Sequence, residues 1–80
     1  MRKNIHRHRP ELRAKLREFF ALVPKGREVT AEMIRDGVNA LIPVPAGDDE
    51  VRSLIGYFID RTELKQRLDE DAEKTFYRVV

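Results

Sequence analysis

Asp48-Asp49-Glu50-Val51-Arg52-Ser53-Leu54-Ile55-Gly56-Tyr57-Phe58-Ile59-Asp60-Arg61 is followed, two residues on, by Leu64-Lys65-Gln66-Arg67-Leu68. An acidic stretch, Asp69-Glu70-Asp71-Ala72-Glu73, separates that run from Thr75-Phe76-Tyr77-Arg78-Val79-Val80. The hydrophobic period changes inside this segment. Val51, Leu54, Ile55, Phe58 and Ile59 fall at i, i+3, i+4, i+7 and i+8, the stripe of an amphipathic helix over 48–61, with Asp48 or Asp49 as its cap. After Arg61 the period is two. Leu64, Gln66 and Leu68 alternate with Lys65 and Arg67, and Phe76, Arg78 and Val80 alternate with Tyr77 and Val79. Period two on both sides of a polar turn predicts a hairpin over about 63–80. A helix that feeds a hairpin makes the chain α+β.

Upstream, Leu12, Leu16, Phe19, Phe20 and Val23 form one apolar stripe. It predicts a first helix over 10–22, with Pro10 in its first turn, where the missing N–H costs nothing, and Pro24-Lys25-Gly26 as its stop. Arg27-Glu28-Val29 is too short for a helix and is expected to pair as a strand. Thr30 then caps a short helix over 31–38, whose apolar face is Met33, Ile34 and Val38. Residues 39–47 form a loop held by Pro43, Pro45 and Gly47, and its Leu41, Ile42 and Val44 are expected to plug into the core. Residues 1–9 carry four Lys/Arg, two His and no carboxylate, and are expected to be a flexible basic arm ahead of one domain over 10–80. Gly56, on the outward face of the third helix, is where a second copy of the chain can approach closely.

At 80 residues the chain is one small domain, and its 41% apolar content suffices for a thin core. The absence of cysteine removes disulfides, thiolate zinc sites and thiol nucleophiles, and is compatible with a reducing cytoplasm. No apolar run is long enough to span a membrane. Net charge is +2, but it is divided: residues 1–35 hold ten Lys/Arg and four Asp/Glu, and residues 36–80 hold six and ten. Such a division suits either a polyanionic partner for the basic half or attraction between the halves within the fold.

Catalysis finds little support, and no enzyme activity is expected. Carboxylates at 48–50 suit a helix N-terminus without any further role. His6-x-His8 lacks a third metal ligand nearby, Ser53 has no predictable base partner, and the four glycines are scattered. No catalytic residue, metal or cofactor is assigned.

The order helix, short strand, helix, helix, strand, strand resembles the winged helix-turn-helix family of DNA-binding modules. The likeness rests on Arg27-Glu28-Val29 as first strand, 30–38 as second helix, 48–61 as third helix and 64–80 as wing. It implies three helices plus a small antiparallel sheet, and double-stranded DNA as partner. Carried over by position, Arg52, Ser53, Tyr57 and Arg61 become base readers in the major groove. Thr30 becomes a phosphate contact at a helix start, and Lys74 flanks the wing tip. Arg2, Lys3, Arg7 and Arg9 of the arm would follow phosphates or enter a minor groove. A chain of this kind looks like a small phage, plasmid or prokaryotic regulatory or replication-accessory protein, acting in the cytoplasm, as a monomer or homodimer. The acidic start of the third helix and the acidic wing tip depart from the family pattern. They suit the alternative of a module that binds a partner protein through those acids or through the 41–44 loop.

Overall fold

The computed structural model describes residues 7–80, in which three helices precede an antiparallel hairpin. The elements are α1 (Leu12–Leu22), α2 (Ala31–Asn39), α3 (Asp48–Asp60), β1 (Leu64–Asp69) and β2 (Lys74–Val79). The class is α+β as expected, and the arrangement is compatible with a winged helix. Arg2, Lys3 and His6, assigned to the arm, lie outside the described residues.

The core is built from the expected stripes. Leu12 and Leu16 of α1, Ile34 and Val38 of α2, and Val51, Leu54, Ile55 and Phe58 of α3 are all buried, with Phe19, Phe20 and Val23 packed against them. Burying a side chain of this size contributes about 1.5–3 kcal/mol. Met33, assigned to the inner face of α2, is instead largely exposed, one position too early in the helix to turn inward.

Three boundaries differ from expectation. Pro10 lies in a turn before α1 (Leu12 N–H to Arg9 C=O, 3.0 Å; Arg13 N–H to Pro10 C=O, 3.1 Å), and the helix proper starts at Leu12. The cap of α3 is Gly47, with no side-chain hydrogen bond, so Asp48, Asp49 and Glu50 all fall in the first turn, near the positive helix end. The strand expected over 27–29 contracts to one antiparallel bridge, Val29 to Tyr77, with N–H to C=O distances of 2.9 and 2.8 Å. Its neighbours leave no room for more: Arg27 N–H closes a turn on Pro24 C=O at 3.0 Å, and Thr30 already caps α2.

The hairpin pairs Leu64 with Val79 through to Asp69 with Lys74. Leu64 is buried, but Leu68, on the same face, is exposed because the hairpin runs beyond the helices. Asp69 Oδ1 accepts from the N–H groups of Asp71 (3.1 Å) and Ala72 (3.2 Å), so one acid of the turn shapes the turn itself. In the 39–47 loop, Leu41 and Ile42 are half-buried, whereas Val44 is 60% exposed and Ala46 takes the buried place. The reason is a clamp: Asn39 Nδ2 donates to Ala46 C=O (3.1 Å) and Asn39 Oδ1 accepts from Ala46 N–H (2.8 Å), which turns Ala46 inward.

Candidate nucleic-acid interface

With its apolar stripe against the core, α3 turns Arg52, Ser53 and Arg61 outward, while Tyr57 packs at the rim of the core. Arg52 and Arg61 are exposed, and Ser53 and Tyr57 are half-buried. What covers these two is the N-terminal segment. Residues 7–9, expected to be flexible, pack along one edge of α3. Arg7 N–H donates to Ser53 Oγ (2.6 Å), and Arg9 meets Glu50 through its backbone N–H (2.8 Å), Nε (2.9 Å) and Nη2 (3.1 Å). Arg9 Nη2 also reaches Val44 C=O at 3.1 Å. His8 is 6% exposed, its ring edge-on to Tyr57 with centroids 5.4 Å apart.

Tyr57 is the centre of a cationic cluster. The guanidinium of Arg13, from α1, lies 4.0 Å from the Tyr57 ring centroid, and that of Arg61 lies 5.5 Å from it. Arg17, one turn after Arg13, lies over Phe58 at 4.9 Å. Cations over aromatic faces attract the ring quadrupole, by about 0.5–1 kcal/mol where exposed. Neither Arg13 nor Arg17 is among the residues that the sequence assigns to the site. Their spacing of four is the signal, but only the tertiary packing brings Arg13 to Tyr57 and Arg17 to Phe58.

The acids are matched by arginines. Asp48 pairs with Arg35 (2.8 Å), Asp49 with Arg52 (3.3 Å) and Glu50 with Arg9 (2.9 Å). Glu63 is shared by Arg61 (2.9 Å) and Arg17 (3.3 Å). Arg9–Glu50, Arg17–Glu63 and Arg35–Asp48 each join the basic half of the sequence to the acidic half, so part of the charge division is met inside the fold. Arg9 holds the Glu50 carboxyl below its usual range, and Arg61 does the same for Glu63. Exposed pairs such as Arg52–Asp49 contribute little to stability and leave the arginine able to exchange partners.

The other assigned residues lie apart from Tyr57. Thr30 Oγ1 accepts from Met33 N–H at 3.2 Å as the cap of α2. Lys74 opens β2, opposite Asp69 in the register and exposed. Arg7 shares a small hollow with Arg52 and Ser53.

Ser53 Oγ sits 3.1 Å from His8 Nδ1, a pairing absent from the sequence reading because 45 residues separate the two. It does not form a nucleophile and base. Arg13 Nε donates to His8 Nε2 at 3.0 Å, so in a neutral ring the proton is on Nδ1, which then has no lone pair for the serine proton. Among the described residues no group of three His, Cys, Asp or Glu side chains could hold a metal, and no helix is long and apolar enough to cross a membrane. No protein-family model matches the chain, and no curated protein or solved structure is significantly similar to it.

Proposed function

We propose that the chain is a winged helix that binds double-stranded DNA, as a small regulator or replication accessory, through the exposed side of α3. One observation carries the reading: the guanidinium groups of Arg13 and Arg61, from two different helices' ends and faces, converge on Tyr57. Side chains that form planar, multi-donor forks around an aromatic are suited to base edges and phosphates alike. Arg52, Tyr57 and Arg61 act as readers, with Arg13 added to them. Ser53 lies under residues 7–9 and serves to anchor them. Thr30, Lys74, Arg7 and the Arg2-Lys3 pair supply phosphate contacts, while Arg9 is committed to Glu50.

Titration of labelled duplex at about 50 mM and about 200 mM salt tests this, because each phosphate contact adds roughly −0.9 to the log–log salt slope. Removing residues 1–6, and with them Arg2 and Lys3, is expected to make the slope shallower by about 2. Arg13→Ala and Arg61→Ala are each expected to weaken binding. Absence of binding at the lower salt would sink the proposal.

A second reading, docking of a partner protein, is favoured by a different observation. A groove of about 540 Å³ runs between α1 and the hairpin, lined by Phe20, Ala21, Phe58, Leu64, Val79 and Val80. Leu22, 79% exposed, lies close by in sequence at the end of α1. The acidic start of α3 favours this reading less, since each of its three carboxylates already meets an arginine.

A further inference from the structure

Residues 7–9 cross α3 on specific bonds, and one of them is a histidine. Among the described residues, the charged groups that the structure places against the His8 ring include Arg13 of α1 and Glu50 of α3, with Arg7 and Arg9 in its own segment and the Tyr57 phenol beside it. Arg13 Nε–H can only donate, so its 3.0 Å contact makes His8 Nε2 the acceptor. The imidazole must then carry its proton on Nδ1, which donates to Ser53 Oγ at 3.1 Å. The docked ring is therefore neutral. A proton on Nε2 would aim N–H at N–H and bring two cations within 3.0 Å. Glu50 favours the imidazolium, but Arg9 already meets both of its oxygens.

We propose that residues 7–9 are a latch released by acid, with His8 as its titrating pin and the Ser53–Tyr57 edge of α3 as the surface it uncovers. The docked segment binds one proton fewer than the free one. Docking is complete above the ordinary imidazole range, around pH 6.5, and weakens about tenfold per pH unit below it. Release uncovers Ser53 Oγ and the Tyr57 ring, and frees the Arg9 guanidinium from Glu50. The consequence for DNA rests on the function proposed above; the latch does not.

NMR on the full chain, without DNA, tests it. At pH 8 the His8 ring nitrogens are expected to report the Nδ1–H tautomer. Between pH 6 and 5, hydrogen-exchange protection of the Arg7 and Arg9 amides, corrected for intrinsic rates, is expected to fall about tenfold, in step with the His8 ring. His8→Phe keeps an aromatic ring and is expected to abolish the pH dependence. An Nε2–H tautomer at pH 8, protection that is unchanged through the His8 titration, or a pH dependence that survives in His8→Phe would each overturn the latch. The tautomer and the coincidence of the two titrations are read on the unaltered chain, so they decide the matter even if the variant folds poorly.

Discussion

Gly37 lies where α2 packs on Phe19 of α1, and a Cβ at that position would collide with Cδ1 and Cε1 at the edge of the aromatic ring. Glycine in a helix interior ordinarily costs about 1 kcal/mol relative to alanine, so propensity alone makes Gly37→Ala stabilising. Packing reverses the sign. Overfilling a close contact costs about 1–3 kcal/mol, and the expected outcome is a lower denaturation midpoint for Gly37→Ala. Phe19→Ala removes the ring, so in its background Gly37→Ala is expected to be neutral or stabilising. A double-mutant cycle in urea checks the coupling. Nothing in the sequence near Gly37 signals this, because the ring arrives from 18 positions earlier. The same limit hid the role of Ser53, whose partners Arg7 and His8 are 46 and 45 positions away.

Helix α3 ends on a left-handed residue. Thr62 has φ 59°, its N–H bonds Ile59 C=O at 2.9 Å, and the next N–H, of Glu63, bonds Phe58 C=O at 2.9 Å. That pair of bonds is the Schellman stop, usually made by glycine, which has no Cβ to strain in this region. A β-branched threonine there is strained, and the stop is what delivers Leu64, buried, straight into β1. Thr62→Gly is expected to stabilise by about 1 kcal/mol, seen as a Tm about 4–8 °C higher for a domain of this size. The change of period after Arg61 already placed the end of the helix in the sequence, although no glycine marks it. The start of α1 was less legible. Pro10 suits a first helical turn and a preceding turn equally, and the Arg9–Glu50 contact, which draws Arg9 back onto α3, is long-range.

At the scale of the whole molecule, arginines hold three carboxyls among the described residues below their usual range. Arg67 holds Glu28 below its usual range, as Arg9 does Glu50 and Arg61 does Glu63. A folded-state value below the unfolded one means stability present above the ordinary value of 4.5 and lost as pH falls through the depressed one. These pairs are partly open to solvent, which screens each of them, so the effect is collective. Tm is expected to fall as pH drops from 5 to 3, less steeply in 1 M salt, and less steeply again in Glu28→Gln/Glu63→Gln, as differential scanning fluorimetry would show. The sequence by itself determined the three helices, the hairpin and most of the core, because periods of 3.6 and 2 record locally which face is buried. It also held the Val29 pairing in outline and Thr30 as a cap. Only the tertiary structure decided that residues 7–9 lie on α3, that Arg13 and Arg61 meet at Tyr57, and that Asp48 and Glu50 at the start of α3 are matched by Arg35 and Arg9. Side-chain period says which way a residue points from its own element. Which distant charge or ring it then meets depends on how the elements cross, and no local pattern carries that.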